Sequence, residues 1–144
     1  MADKIELEVV TPDQAVFHDF VDDVVVPGKQ GEMDILPGHL PLLAALTVGE
    51  MRINDGDTQK NFLIDQGYAE VVDDRVTVLT EACEGVDDID IATAKQRLSH
   101  AEEEVSLLEE QAQTEVVEEA LLERHRLALK RARLRMAFAE EQDS

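Results

Sequence analysis

The residue types that most often carry out chemistry are few in this chain and lie far apart. No His-Glu-x-x-His pattern occurs, and no two histidines stand at the spacing of a zinc site. The four histidines are His18, His39, His100 and His125. Cys83, the only cysteine, has no histidine or basic residue beside it, which favours a buried structural thiol over a nucleophile. We therefore expect no metal site and no catalytic residue.

Two further patterns are better explained by turns than by ligand binding. The pair Gly28-x-x-Gly31 lacks the GxxxxGK[ST] form of a phosphate-binding loop. Residues 54–57 (Asn-Asp-Gly-Asp) are similar to the start of a calcium loop, but the later EF-hand positions do not match and a hairpin turn accounts for them. With 33 Asp and Glu residues, no acidic pair singles out acid–base catalysis. No set of enzyme residues emerges, and no cofactor is expected.

The most informative segment is residues 26–43, VPGKQGEMDILPGHLPLL. It contains three of the four prolines and three of the seven glycines of the chain. Such residues form turns and remove backbone donors from a sheet. The segment is therefore predicted to form a shaped loop surface that another protein holds.

Up to about Val86, apolar and polar residues alternate with the period of two that is typical of β-strands, and such strands carry this segment. Turn signals separate short apolar runs, and the pairs at 55–56 and 73–74 predict hairpins. Many short strands with frequent turns predict an antiparallel β-sandwich or barrel. Strands and helices do not alternate, so we expect no parallel sheet. The strand at residues 75–80 is expected to be buried on both faces.

After Gly85 the chain has neither glycine nor proline, and its apolar residues recur at the three- and four-residue spacing of an α-helix. Acids at 87, 88 and 90 suit the start of a helix near Ile89. Its seam residues, spaced three and four apart, are Ile91, Ala94, Leu98, Ala101, Val105, Leu108 and Ala112. A second helical stretch is expected at about 116–139. The sequence leaves open whether one helix or two form, with Thr114 as the candidate N-cap after a break. The predicted domains are a β-sandwich at 1–86 and a helical hairpin or coiled coil at 87–144.

Acidic and basic residues are unevenly distributed along the chain. The net charge of −20 argues against nucleic-acid binding and against binding to anionic membranes. Residues 120–139 reverse the sign, with six bases and one acid. The bases are Arg124, Arg126, Lys130, Arg131, Arg133 and Arg135. They suit either a solvated surface that complements the helix dipole or docking onto an acidic partner, which is the first helix itself (Glu102–Glu104, Glu109–Glu110) or another protein.

The N-terminus has no basic and apolar pattern of a signal peptide, and no apolar run is long enough to span a bilayer. A single cysteine excludes an internal disulfide and favours a reducing compartment. We expect a soluble protein that associates with a membrane only through partners.

Taken together, these motifs resemble the epsilon subunit of bacterial F-type ATP synthases, equivalent to the mitochondrial delta subunit. The resemblance rests on VVPGKQGEMDILPGHLPLLAAL (residues 25–46), on TVGEMRI (47–53) and on IDQGYAEV (64–71). The stretch from Gly31 to His39 is the most specific part. The order of sandwich followed by two helices extends the resemblance over the whole length.

The resemblance implies a sandwich of about ten antiparallel strands followed by an α-helical hairpin, the α+β class. It also implies a subunit without catalytic residues that joins the gamma subunit in the central stalk of the rotor. There the subunit sits on the c-ring and transmits torque between proton flow and the catalytic head. The expected location is peripheral, at the cytoplasmic face of the bacterial inner membrane.

The family's ring-contacting loop implies roles for five residues here. The glutamate of the family's loop matches Glu32 in this chain. The four other residues to which the resemblance assigns the ring contact are Gly31, Met33, Asp34 and His39. The family commonly has glycine where Asp34 stands. The family's helices can also extend along gamma, where their bases approach an acidic loop of the beta subunit and hinder ATP hydrolysis. The six bases between Arg124 and Arg135 would make that contact.

Some family members bind ATP through a motif of the form [IL]DxxRA. The corresponding stretch, residues 89–94, reads IDIATA, so Thr93 stands in place of the arginine. This replacement removes a charged partner for phosphate. The resemblance thus carries over Asp90 alone and does not favour ATP sensing.

One alternative from another class of protein is a free-standing adaptor or chaperone built from a sandwich and a coiled coil. Such a protein would co-purify with varied clients. A rotor subunit would co-purify in fixed stoichiometry with alpha, beta and gamma.

Overall fold

The computed structural model describes residues 3–143 and divides the chain into two compact units, Met1–Gly85 and Val86–Ser144. The first unit contains all ten strands. They are β1 Ile5–Val10, β2 Ala15–Val21, β3 Asp23–Gly28, β4 Gly31–Ile35, β5 Leu42–Leu46, β6 Gly49–Asp55, β7 Thr58–Ile64, β8 Gly67–Val72, β9 Arg75–Thr80 and β10 Cys83–Gly85. The predicted ten-stranded sandwich followed by helices is confirmed.

The strands are hydrogen-bonded in the order β10-β7-β6-β3-β5-β8-β9-β1-β2, and β4 pairs with β3 beside this path. A single residue pair, Gly28 with Leu46, joins β3 to β5. The contact between β3 and β5 is therefore the place where one half of the sandwich passes into the other. The loop-rich segment predicted to bind a partner lies around this junction.

The alternation of apolar and polar residues along the strands produces the core of the sandwich. In β1, Ile5, Leu7 and Val9 are fully buried, whereas Glu6 and Glu8 lie on the other face of the strand. Valine, isoleucine and leucine supply most of the core, and no aromatic side chain is fully buried among the described residues. Phe17 and Phe62 lie at the edge of this core, where their rings meet edge to face, 6.5 Å between centroids.

Two expectations about the sheet were wrong. β1 and β9 pair in parallel, with Leu7 opposite Val76. A parallel pair needs a long connection, and here the other strands of the sandwich provide it in place of a helix. β9 is also buried on one face only, because Leu79 is half exposed while Val76 and Val78 are fully buried.

Gly67, the first residue of β8, is where two backbones approach most closely. A Cβ atom added here would lie 1.8 Å from the carbonyl oxygen of Leu79 on β9. Only glycine permits this approach. The first residue of β8 is therefore fixed by packing against the neighbouring backbone.

The second unit begins with a single 3-10 turn at Val86–Asp88 and then forms α1 Ile91–Gln111 and α2 Glu119–Asp143. Two helices form, which settles the question that the sequence left open. The break covers residues 112–118, so Thr114 lies in the turn and does not cap α2. Asp90 caps α1, and its carboxylate accepts hydrogen bonds from the amide (2.9 Å) and the hydroxyl (2.8 Å) of Thr93.

The hairpin has a small core of its own. Ala101 and Val105 of α1 pack with Leu129 and Ala132 of α2, and Leu98 covers one side. The two alanines allow the helices to approach closely. Ala112, the last residue of the predicted seam, is exposed because α1 ends at Gln111.

We predict that Gly67→Ala destabilises the protein by about 3 kcal/mol, because the backbone of β9 must move away from the new methyl group. Urea unfolding of the full chain measures the loss. Gly56→Asn is the matched control, since Gly56 has a positive φ of 61°, open space around its Cα and a position that asparagine tolerates. Equal stabilities of the two variants would contradict the close approach as the reason for Gly67.

Candidate functional site

The tip of the β3–β4 hairpin projects from the junction of the sandwich. Gly28 pairs with Gly31 across the turn, and Gly31 has a φ of 135°, which glycine adopts far more readily than other residues. The amide of Lys29 donates to the carbonyl of Ala45 at 2.9 Å and ties the tip to β5. The predicted loop surface is thus a short, braced turn.

An ion-pair cluster orients Glu32 next to this tip. The guanidinium of Arg52 on β6 contacts Glu32 at 2.7 Å and Glu50 at 3.2 Å. This hydrogen bond from Arg52, with its positive charge, holds the pKa of Glu32 below its usual range. The carboxylate therefore stays ionised and keeps a defined direction although the side chain is more than half exposed.

Asp34 lies further along β4 and faces another carboxylate. It shares a hydrogen bond with Asp23 at the start of β3, and this contact, together with partial burial and the repulsion between the two charges, raises the pKa of Asp34 to about 6. The positive charge of Arg52 acts in the opposite direction. The amide of Asn54 donates to Asp23 at 3.1 Å. The pair therefore gains a proton at mildly acid pH.

His39 lies in the loop at residues 36–41, beyond the other end of β4. Its Nδ1 donates to the carbonyl of Leu40 at 2.8 Å, and the amide of Gly38 donates to the carboxylate of Asp74 at 2.6 Å. The five residues of β4 span about 13 Å at 3.3 Å per residue. The structure therefore places Gly31–Asp34 on one strand and His39 past its far end.

A groove of about 460 Å³ lies between the tip and β5. Its walls are formed by Gly28–Met33 and Leu42–Ala45. The neighbouring leucines are unusually exposed for their type, with Leu40 at 79% and Leu43 at 68% of their full surface. A charged tip beside an apolar groove is typical of a protein-binding surface.

The basic residues of α2 form two separate stripes. At 3.6 residues per turn, Arg124, Arg131 and Arg135 share one flank of the helix. The opposite flank carries Arg126, Lys130 and Arg133, all exposed. Of this second stripe, Arg126 lies 3.5 Å from Glu109 of α1, which supports the expected docking onto the acids of the first helix at one point.

Arg131 and Arg135 line a cavity of about 390 Å³ between α1 and α2. Arg97, His100 and Glu104 of α1 and His125 of α2 also face it, and His125 lies 3.9 Å from Glu104. These two arginines thus belong to the interior of the hairpin. The six bases that the sequence grouped together do not act as one surface.

Comparison with known proteins places these features in a family. The sequence model described as "ATP synthase, Delta/Epsilon chain, beta-sandwich domain" matches residues 4–86. An ATP synthase epsilon chain from Syntrophobacter fumaroxidans is 40% identical over 98% of this chain and 99% of its own length. A second, from Geotalea uraniireducens, is 40% identical over 86% of this chain and 90% of its own. This chain belongs to the ATP synthase epsilon chain family.

Solved structures agree with the fold of the epsilon chain family. A chain in the Euglena gracilis mitochondrial ATP synthase (OSCP/F1/c-ring) superposes with a TM-score of 0.70 at 22% identity, over 90% of this chain and 78% of that one. One in the central stalk and c-ring of the Tetrahymena thermophila enzyme gives 0.53 at 15% identity, over 60% of this chain and 70% of that one. At these identities the likeness concerns the fold.

Within this member of the epsilon chain family, sequence reasoning missed three residues of the surface. Arg52 orients Glu32, Asp23 pairs with Asp34, and Asp74 binds the loop that carries His39. A signal existed for Arg52, which is one of only five bases in the first 80 residues and lies on the outward face of an alternating strand. No signal existed for the aspartates, because their partners lie 11 and 36 residues away along the chain.

The structure also gives the surroundings of Asp90 and Cys83, the two remaining residues that the sequence analysis considered for nucleotide binding and for reactivity. Asp90 is engaged as the cap of α1, so its carboxylate is occupied by Thr93. Cys83 is more than half buried, and burial raises the pKa of its thiol to about 11, which keeps it protonated. Within residues 3–143, no three His, Cys, Asp or Glu side chains are grouped closely enough to hold a metal ion. No helix in that range is long and apolar enough to cross a membrane.

We predict that Asp34→Asn stabilises the protein at pH 8 but not near pH 4. Because the folded-state pKa of Asp34 is raised, its stabilising contribution is complete below the unfolded-state pKa of about 4 and is lost as the pH rises through about 6. Removing the charge should restore less than about 1 kcal/mol at pH 8, since solvent screens this largely exposed pair. Urea unfolding at both pH values measures the difference.

The control for this prediction is a double-mutant cycle. In an Asp23→Asn background the carboxylate pair is already broken, so Asp34→Asn should have no effect that depends on pH. An equal gain from Asp34→Asn at pH 4 and pH 8 would show that the pair is not the cause.

Proposed function

We propose that this chain is the non-catalytic epsilon subunit of an F-type ATP synthase and that it works in the central stalk of the rotor. In this role it joins a gamma subunit to a c-ring and transmits torque between proton flow and ATP synthesis. The observation that carries the proposal is the similarity to ATP synthase epsilon chains over nearly the whole length of the chain. The braced tip and the apolar groove supply the surface that such a role needs.

Torque requires a subunit that does not deform at its contact. The tip meets this need because the Lys29–Ala45 hydrogen bond ties it to β5 and the Arg52 ion pairs tie it to β6. Behind it lies a close-packed aliphatic core of low compressibility. A load applied at Glu32 therefore passes into several strands at once. We assign Gly31–Asp34 to the ring contact and include His39 in the loop that continues from β4.

The assignment to the stalk carries an expected location. A subunit held by gamma and the c-ring lies at the membrane surface without entering it, at the cytoplasmic face of the bacterial inner membrane. The strongly negative charge of the chain disfavours direct contact with anionic lipids. Attachment then depends on the protein partners alone.

The second candidate function is inhibition of ATP hydrolysis by the helices. The exposed stripe of Arg126, Lys130 and Arg133 favours it, since it presents three bases on one flank of α2. In an extended state these bases would meet an acidic loop of a beta subunit. Arg124 on the other flank is also exposed, whereas Arg131 and Arg135 line the space between the helices, are partly buried there and become more exposed when the hairpin opens.

Opening the hairpin is energetically feasible. The cluster that joins α1 to α2 has four buried residues, two of which are alanines, and five further apolar residues of the helical unit are buried as well. Separating the helices at this cluster costs on the order of 5 kcal/mol from apolar burial. Contacts with another subunit of similar area would offset that cost. We assign no ATP sensing to Asp90, because its carboxylate caps α1 and Thr93 offers no positive charge.

We predict that the tagged full chain co-purifies with alpha, beta and gamma in fixed stoichiometry and is retained with the c-ring after mild detergent extraction. Glu32→Arg should reduce retention with the ring, since it places two guanidinium groups together at the tip and removes the oriented carboxylate. Asp13→Arg in the exposed β1–β2 turn makes the same charge change and should leave retention unchanged. A set of varied client proteins instead of these subunits would favour the adaptor alternative.

We predict that replacing Arg126, Lys130 and Arg133 together by glutamine raises ATP hydrolysis by the assembled enzyme. Exposed ion pairs are worth about 0.3 kcal/mol each, so the three together contribute about 1 kcal/mol and a release of about fivefold is expected. Lys95→Gln on the exposed face of α1 is the control and should leave the rate unchanged. If the triple variant and the control hydrolyse ATP at the same rate, the stripe has no inhibitory role.

A further inference from the structure

The β8–β9 turn contains the only non-glycine residues with positive φ among residues 3–143. They are Asp73 at 48° and Asp74 at 60°. Val72 pairs with Arg75, so the turn has two residues, and both must take positive φ as in a type I′ turn. Asparagine and glycine adopt this conformation more readily than aspartate. Aspartate also occurs in turns of this type, so what distinguishes Asp74 from Asp73 is its contacts outside the turn.

The contacts that distinguish Asp74 are two long-range hydrogen bonds. Its carboxylate accepts from the amide of Gly38 at 2.6 Å, 36 residues away along the chain. Its carbonyl accepts from the amide of Glu6 on β1 at 2.8 Å. Asp74 is therefore fixed to β1 by its backbone and holds the loop at residues 36–41 by its side chain. Asp73 has the same backbone strain without such a contact to the loop.

The loop that Asp74 holds connects the two walls of the groove. One wall belongs to β4, which pairs with β3, and the other begins at Leu42 of β5. Among residues 3–143 no ladder joins β4 to β5, so at the end away from the tip, which the Lys29–Ala45 hydrogen bond ties to β5, their separation depends on the connecting loop. Gly38 itself has a φ of 83°, so the loop turns sharply at the point where it is held. The exposed Leu36 and Leu40 lie on either side of that point.

We propose that Asp74 is a positioning residue, which fixes the loop at residues 36–41 and thereby the shape of the groove that receives the rotor ring. The assignment of the ring as occupant rests on the proposed function and on continuity, because the loop follows directly from the ring-contacting residues of β4. Asp74 itself does not touch the ring. It determines how Leu36, His39 and Leu40 are presented.

Two glycine variants separate this role from a role in the turn alone. Asp73→Gly and Asp74→Gly relieve the same kind of backbone strain, but Asp74→Gly also loses the hydrogen bond to Gly38, so its melting temperature should not exceed that of Asp73→Gly. Only Asp74→Gly removes the acceptor for Gly38. Hydrogen exchange of the Gly38 amide in the full chain should then become at least about tenfold faster in Asp74→Gly and stay within about twofold in Asp73→Gly.

The same variants are then assembled with the other subunits, and their retention with the c-ring is measured. Asp74→Gly should be retained less than the unchanged chain, while Asp73→Gly should be retained equally. Asp74→Asn keeps a carbonyl acceptor and tolerates positive φ, so it should restore most of the retention. A merely structural residue would not show this rescue together with the contrast between the two glycines.

Three results would overturn the proposal. The first is identical behaviour of Asp73→Gly and Asp74→Gly in both measurements. The second is faster exchange at Gly38 without any loss of retention, and the third is loss of gamma with the ring still bound. Failure of the proposed function looks different, because Glu32→Arg would then be retained as well as the unchanged chain. In that case the exchange of Gly38 still decides whether Asp74 holds the loop.

Discussion

The rest of the structure depends on the burial of alternating aliphatic side chains in a core that contains no fully buried aromatic ring. Because valine, isoleucine and leucine are short, the two halves of the sandwich must lie close together for their side chains to interdigitate. Within the sheet, the paired strands β8 and β9 also approach closely at Gly67, where an added Cβ atom would meet the carbonyl of Leu79. The positions of β3, β5 and β6 follow from this packing, and they carry the tip, the groove and Arg52.

The surface around β4 divides its chemistry between its two ends. The tip is charged and braced, with Glu32 oriented by Arg52, whereas the far end presents exposed leucines on a loop held by Asp74. Asp34 lies between them and repels Asp23 above pH 6. This repulsion at a proposed docking site is a local cost that the surrounding sheet can sustain, since β3 is held by hydrogen bonds from both β4 and β6. The proposed ring contact would account for such an arrangement.

The helical unit differs from the sandwich in the size of its core and in the distribution of its charges. The cluster that joins its two helices, Ala101, Val105, Leu129 and Ala132, is much smaller than the core of the sandwich, and the bases of the unit are divided between the space between the helices and an exposed stripe. An element of this kind can exchange one partner for another at modest cost. A rigid sandwich and an adaptable hairpin in one chain match the two proposed activities, attachment to the rotor and control of hydrolysis.

The sequence by itself determined the short strands of a sandwich, the two hairpins, the cap region of α1 and the family, because periodicity, turn residues and motifs are local properties. The number of ten strands came from the family resemblance, and the first hairpin turn lies at 56–57, one residue beyond the predicted 55–56. Only the tertiary structure decided the parallel pairing of β1 with β9, which bases of α2 face α1 and the partners of Arg52, Asp34 and Asp74. Each of these depends on which distant strands or helices become neighbours. Packing of the whole core makes that choice, and no window of the sequence contains it.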